Sequence, residues 1–434
     1  MNVVGVKVEE AERSGLAPIP ELKLLCVTCS GLSRNAGPKA PIPVLVSGSG
    51  LATRQGLPTR GESRNAVSAL RAARVLMIAG GTGGHIFPVL AVAEELRARG
   101  EQKQASEAPY TIEFLGTRRA LEARLIPAAG FPLRTVAAAG LKGIGGLERL
   151  RNLLVLPRTA LETAKVLREF QPQVVVGAGG YLAGPALLEA ALQDIPTVLI
   201  ELNARPGFTN RVLAPVVRVA ALGFEQTARY YGAKARVTGH PVRKAFHEIL
   251  PKEHVPPFTL LVVGGSQGAK AINEAVLASL PLIAERMPRL RILHQTGERD
   301  YNAVWKAYQE QGFAAEVHIF IEDMPGAFAR ADLVVSRAGA TAVAELAAAG
   351  KASLLIPFPA AADQHQLDNA GVLEHVGAAR VIEQAQLTPE RLVEAVCGLL
   401  DHPECLAEME RKARKLAQPG AAARIAEMIE ELLK

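Results

Sequence analysis

Cysteine is scarce: Cys26, Cys29, Cys397 and Cys405 are the only four in 434 residues, too few to frame a disulfide-stapled fold. Cys26-Val-Thr-Cys29 stands alone, with no second pair, flanking histidine or βαβ pattern to make it a metal or redox centre. Aromatic residues are 4% of the chain, with one tryptophan, so the core must be aliphatic, which favours helices packed on sheet over a sandwich or barrel. No apolar run reaches the length of a membrane-crossing helix. Glu9, Glu10 and Glu12 come early and no apolar stretch follows a basic start, so a secretory signal is not expected and a reducing, cytoplasmic location is. Net charge is only +6, and Met1–Ala73 contributes +4 of it from nine Lys/Arg and five Asp/Glu. The +2 left for the remainder argues against nucleic acid as a partner, because binding a phosphate backbone needs a concentrated basic face, and leaves room for a local basic patch. No D-x-D pair is present to hold a divalent cation against a diphosphate, so no metal and no cofactor is expected, and metal-free electrostatics is implied.

The length suffices for two or three domains. Residues Met1–Ala73 are punctuated by Pro18, Pro20, Pro38, Pro41, Pro43 and Pro58 with little periodicity, and read as a disordered extension. From Arg74 the pattern is strand, turn, helix. Strands are expected at Val75–Ala79, Tyr110–Leu115, Gly130–Val136, Gln173–Val176 and Pro196–Glu201, with helices over Val89–Arg97 and Leu147–Phe170 and another opened by Gly184-Pro185. The design restarts at Phe258–Val263, with further strands at Leu290–Gln295, Val317–Phe320, Leu333–Ser336 and Ser353–Ile356 and a final amphipathic helix, Ala421–Leu433. Strands alternating with helices predict parallel sheets covered on both faces. Thr238-Gly-His-Pro-Val-Arg243 suits a hinge between two such units, and a cleft is then expected at the carboxyl ends of their strands.

Two glycine-rich turns stand at the openings of the two units. Arg74–Pro88 (RVLMIAGGTGGHIFP) joins strand to helix through Gly80–Gly84, placing bare backbone N–H groups and a positive helix end beside His85. A dinucleotide fingerprint would need glycine where Ile86 stands, and a Walker A loop would need glycine where Ala269 precedes Lys270. Both turns therefore suit a phosphate or sugar, or are simply tight strand–helix connections. His85 reads either as a neutral proton acceptor or as a packing residue. In Ala338–Glu345, Thr341 and Glu345 are one turn apart, so both side chains can face the cleft, and the Glu345 carboxylate reads either as an acceptor for two vicinal hydroxyls, as on a ribose, or as a solvated helix charge. Ala361–Asn369 gathers Asp363, Gln364, His365, Gln366 and Asn369 in one loop, either a sugar-binding loop or plain surface.

Taken together, GGTGGH (Gly80–His85), GGYLAGP (Gly179–Pro185), Glu201-Leu-Asn203 with Gly207 and Asn210, GHPVR (Gly239–Arg243), GGSQGA (Gly264–Ala269), AGATAVAE (Ala338–Glu345) and DQHQLDNA (Asp363–Ala370) occur in order. From Arg74 onward the chain resembles the bacterial N-acetylglucosaminyltransferases that convert lipid I to lipid II in peptidoglycan synthesis. The resemblance implies an α/β GT-B fold, two Rossmann-like domains with parallel sheets facing a central cleft: 74–240 plus 420–434 on the acceptor and membrane side, 241–419 on the UDP-GlcNAc side. It implies an inverting, metal-independent transfer of GlcNAc from UDP-GlcNAc to the 4-hydroxyl of undecaprenyl-linked lipid I. By motif match, Thr82, Gly83, Gly84 and Asn203 approach the sugar-diphosphate, Arg243 and Ser266 contact the donor, and Ile321 meets uracil through its backbone. Ala340, Thr341, Ala342, Val343, Ala344 and Glu345 hold the nucleoside, with Glu345 on the ribose; Gln366 holds GlcNAc hydroxyls, and His85 is the general base. Where the family reads His-Glu-Gln-Asn, this chain has Ile200-Glu201-Leu202-Asn203, which removes two polar side chains.

A lipid-anchored acceptor places such an enzyme peripherally on the cytoplasmic face of the inner membrane, with cell-wall synthesis proteins as further partners. Leu147, Leu150, Leu153, Leu154 and Leu156, near Lys142, Arg149, Arg151 and Arg158, are expected either to meet an anionic lipid surface or to lie in the core. Other readings stay open on residues alone: another GT-B enzyme with a lipid acceptor such as diacylglycerol, a nicotinamide-dependent oxidoreductase, or an inactive sugar-nucleotide-binding module.

Overall fold

A computed structural model describes residues 72–80, 83–102, 110–118, 120–137, 155–359 and 364–434. The extension assigned to Met1–Ala73 falls outside them except at its end, where Ala73 already belongs to the first strand, paired with Tyr110.

Thirteen described strands form two parallel sheets. The first contains β1 (Ala73–Ile78), β2 (Tyr110–Gly116), β3 (Leu133–Thr135), β4 (Val174–Gly177), β5 (Thr197–Glu201), β6 (Val219–Leu222) and β7 (Ala235–Val237), in the order β3-β2-β1-β4-β5-β6-β7. The second contains β8 (Thr259–Val263), β9 (Arg291–Gln295), β10 (Ala315–His318), β11 (Leu333–Ser336), β12 (Ser353–Leu355) and β13 (Ala379–Val381), in the order β10-β9-β8-β11-β12-β13. Both follow the doubly wound Rossmann order, which reverses between β1 and β4 in one sheet and between β8 and β11 in the other. Residues along each central strand alternate between two cores: Val75 and Met77 pack on one face of the first sheet and Leu76 and Ile78 on the other. Leu260 and Val262 oppose Leu261 and Val263 in the same way.

Several elements differ from the sequence expectation. The helix expected to open at Gly184-Pro185 runs from Gly180 to Leu192, with Pro185 inside it. Gly179 and Gly180, at φ of 88° and 84°, make the turn instead. The strand expected at Val317–Phe320 sits two residues earlier, because its ladder with β9 starts at Ala315 opposite Ile292. Strands β6, β7 and β13 were not expected; at three or four residues they carry no periodicity to read. The polar loop Ala361–Asn369 is in part a helix, His365–His375. Leu147–Leu154 lies outside the described residues, and the helix expected there is seen from Val155 to Phe170.

The chain passes from the first sheet to the second through Thr238–Arg243 and returns before its last helix, Ala421–Leu433. Ile425, Met428 and Ile429 of that helix enter the core beside Val75 and Met77. Ile425 and Ile429 are fully buried, and each such side chain stabilises by about 1.5–3 kcal/mol. Arg99 secures the contact with ion pairs to Glu427 at 3.1 Å and Glu430 at 3.2 Å. The two passages touch. Gly239 has φ of 83°, and a β-carbon there would lie 2.1 Å from Gln418 Oε1. Arg424 donates to Thr238 O at 2.8 Å and to Pro419 O at 3.1 Å, joining both.

Candidate active site

The four loops that leave the carboxyl ends of β1, β4, β8 and β11 are the four at the two reversal points, where open α/β sheets bind ligands. They carry the motifs Gly80–His85, Gly179–Pro185, Gly264–Ala269 and Arg337–Glu345.

On the first sheet, β1 ends at Ile78, and the helix Gly83–Gln102 begins five residues later. Thr82 lies outside the described residues; Gly83 is buried, and Gly84 and His85 are half-buried. Burial, and secondarily the charge of His365 on the second sheet's side, lowers the His85 pKa to about 4. The imidazole is therefore neutral at pH 7 and able to accept a proton. At the end of β5, Glu201 is fully buried and collects four neutral donors. It accepts from Asn203 N (2.9 Å), Asn203 Nδ2 (3.2 Å), Asn210 Nδ2 (2.7 Å) and Tyr231 OH (3.3 Å). Burial raises its pKa, and these hydrogen bonds oppose the rise. The network fixes Asn203 at the cleft. Ile200 and Leu202, at the two positions where the polar family residues are missing, are buried in the core.

On the second sheet, the turn Gly264–Ala269 is tight because it packs under a neighbouring loop. A β-carbon on Gly268, at φ of 75°, would lie 1.9 Å from Thr296 O, so only glycine fits. Ser266 is half-buried on this turn, and the helix Lys270–Arg286 starts behind it with no acidic residue in its first turn. Gln295, at the end of β9, joins two pieces: its Nε2 donates to Gly265 O at 3.0 Å and its Oε1 accepts from Ile321 N at 2.8 Å. The Ile321 N–H is thus already used. The helix Ala340–Ala349 opens after Gly339. Val343 turns its side chain into the core, so only its backbone can serve a ligand. Glu345 is pushed up to about 7 by burial, with Arg243 opposing at 3.4 Å. Arg243 also lies 4.4 Å from the Phe87 ring, and among the described residues its buried Nε has no hydrogen-bond partner. Gln366 is half-buried in the first turn of its helix and accepts from Phe358 N at 2.9 Å.

Several of these residues meet across the cleft. Thr341 Oγ1 donates to Gly84 O at 2.8 Å and stands 3.4 Å from His240 Nε2. Asn369, fully buried, accepts from Ala204 N at 3.0 Å and donates to Asn203 Oδ1 and Ala338 O, each at 3.3 Å. Arg124 contributes an ion pair with Glu322 at 3.8 Å and lies 4.9 Å from the Phe320 ring. Sequence reasoning missed the parts played by Glu201, Gln295 and Asn369. A readable signal existed for Gln295, a polar residue closing an apolar parallel strand at its carboxyl end.

Two Rossmann-type sheets, their carboxyl edges facing one cleft that the chain spans twice, make this a GT-B glycosyltransferase. The chain belongs to glycosyltransferase family 28: residues 75–221 match the family's N-terminal domain and 259–427 its C-terminal domain. It is 46% identical over 364 residues to the UDP-N-acetylglucosamine–N-acetylmuramyl-(pentapeptide) pyrophosphoryl-undecaprenol N-acetylglucosamine transferase of Anaeromyxobacter sp. (strain Fw109-5), covering 83% of this chain and 94% of that protein. The protein of the same name from Myxococcus xanthus (strain DK1622) is 43% identical over 363 residues, covering 83% and 93%. Among solved structures, Acinetobacter baumannii MurG is similar with a TM-score of 0.63 at 33% identity, covering 83% of this chain and 99% of that one.

Proposed function

We propose that this protein transfers GlcNAc from UDP-GlcNAc to the 4-hydroxyl of MurNAc-pentapeptide in undecaprenyl-pyrophosphoryl lipid I, giving lipid II. The observation that carries this reading is the convergence of the glycine loops, Arg243, Glu345 and Asn203 on one cleft in a chain 43–46% identical to transferases of that name. Residues 74–240 with 420–434 take the acceptor, and 241–419 the donor. The uracil lies against the Ile321 backbone, the ribose hydroxyls donate to Glu345, and the residues from Ala340 to Ala344 line the nucleoside. Ser266 and the N–H groups of its turn meet the diphosphate, whose developing charge on departure is stabilised by this backbone and the helix start behind it. Gln366, Asn203 and the turn at Thr82, Gly83 and Gly84 surround the sugar. The acceptor oxygen attacks C1 as the bond from C1 to the phosphate oxygen breaks, and His85 takes the hydroxyl proton. The product linkage is inverted, and UDP leaves.

The membrane side of this reading is peripheral attachment to the cytoplasmic face. Among the described residues no helix is long and apolar enough to cross a membrane. The leucines at 147–154 lie outside those residues, and so does the side chain of Leu156. Among the described residues, Leu161, Leu188, Leu192, Phe208 and Val212 stand exposed on three successive helices, each packed on the next, with Arg158 and Lys165 exposed on the first of them. An apolar patch with a cationic rim suits an anionic lipid surface.

The test is incubation with labelled UDP-GlcNAc and a short-chain lipid I analogue. A disaccharide product is expected, and its absence overturns the reading. Sedimentation with anionic liposomes at low salt, released by high salt, tests the attachment.

A further inference from the structure

Arg337 follows β11 directly, and its N–H donates to Val263 O, the residue before the second glycine turn, at 3.4 Å. Its guanidinium is half-buried and reaches away from that turn. It donates to Ile356 O at 3.0 Å, Pro357 O at 3.3 Å and Gln384 Oε1 at 2.7 Å, and its centre lies 5.3 Å from the Phe358 ring. Burial lowers its pKa to about 10, and among the described residues no carboxylate offsets the cost. A cation kept this way must be held for the geometry it imposes. That geometry is the Ile356–Phe358 segment, clamped by two carbonyls and a ring.

The segment in turn holds one side chain of the cleft. Phe358 N–H can only donate, so the oxygen of the Gln366 amide must face it, 2.9 Å away. The NH₂ group of Gln366 is then turned to the other side. We propose that Arg337 is a positioning residue that fixes the amide of Gln366 with its NH₂ group toward the donor sugar, so that the cleft selects a sugar presenting an acceptor oxygen there. This rests on the reading of the second sheet as the UDP-sugar site. The residues assigned to uridine and diphosphate are not among the partners of this guanidinium, so the Arg337 side chain acts on sugar recognition and leaves UDP recognition alone.

The experiment is a double-variant cycle of Arg337→Met and Gln366→Ala, with UDP affinity read by calorimetry and kcat/KM read for UDP-GlcNAc, UDP-GalNAc and UDP-glucose on a lipid I analogue. Arg337→Met is expected to leave UDP affinity within about twofold, to lower kcat/KM for UDP-GlcNAc about five- to tenfold, the size of one hydrogen bond, and to narrow the preference over the other two sugars. In the Gln366→Ala background the same change should have almost no effect. Arg337→Lys, which keeps the charge and cannot span both carbonyls, should fall between, and serves if the methionine variant does not fold. Additive effects at the two positions, or a loss of UDP affinity equal to the loss for UDP-GlcNAc, overturn the proposal. Wild-type protein that binds no UDP overturns instead the donor reading beneath it.

Discussion

The carboxyl edge of the two sheets and the amino edge of the second sheet both bury ionisable groups, but they treat them in opposite ways. At the carboxyl edge the charged forms are disfavoured: burial raises Glu201, lifts Glu345 to about 7 and lowers His85 and His240 to about 4. At the amino edge, Asp332 before β11 meets His254 Nδ1 at 2.9 Å, Lys252 at 2.5 Å and Thr259 N at 2.7 Å. Glu410 ties in Lys351 and His254, each at 3.4 Å. Burial opposes the charge on His254, yet its pairing with Asp332 and Glu410 carries it up to about 9. Burial likewise opposes the Asp332 charge, and His254 and Lys252 hold its carboxyl below the ordinary range. At the carboxyl edge burial outweighs the partners these groups have, as suits acid–base and ligand-binding groups, and at the amino edge ion pairing outweighs burial, as suits groups that hold the fold.

The contrast can be broken at either edge. The largest effect is expected from His85→Ala, a 10²–10⁴-fold loss of kcat with UDP affinity unchanged by calorimetry. Unaltered turnover would remove His85 from the chemistry. Next, Asp332→Asn should cost about 3–5 kcal/mol in denaturant unfolding, because it weakens the pairing of the buried His254 cation, with kcat/KM unchanged where the protein remains folded. A raised KM for the donor in that variant would show the amino edge to be functional too. Glu345→Gln should weaken donor binding about ten- to hundredfold, the loss of a charge-assisted hydrogen bond. It should also abolish an acid limb of kcat/KM near pH 7: below that pH the native carboxyl is neutral and the donor is held less well, and the amide does not titrate. The smallest effect concerns pH and stability. With a folded pKa of about 9 against an ordinary imidazole value of 6.5, His254 contributes stability that is complete below pH 6.5 and lost as pH rises through 9. Unfolding free energy should fall by about 1–3 kcal/mol over that window, and His254→Gln should flatten the fall.

Local order made much of this readable. Val75–Ala79 followed by glycines and a helix announces a βα turn from neighbouring residues alone, and Leu333–Ser336 and Ala421–Leu433 have the boundaries their patterns predict. Reading Thr341 and Glu345 as a pair needed only helical spacing. What stayed hidden depends on partners far along the chain. Asn369 reads as a sugar-binding or surface amide until Asn203 and Ala204, more than 160 residues earlier, are folded against it. Glu201 sat inside a quoted motif without a role, because its role is to gather Asn203, Asn210 and Tyr231. The apolar Ile200 and Leu202 read as lost polar groups, and burial shows what replaced them: core packing.

Gly239 and Gln418 have a mechanical consequence. A body tied to another by one thread can turn about three axes. Here two threads lie side by side, touching where Gln418 fills the space beside Gly239 and pinned by Arg424 to Thr238 and Pro419. Together they behave as a strip, which bends about one line and resists twist.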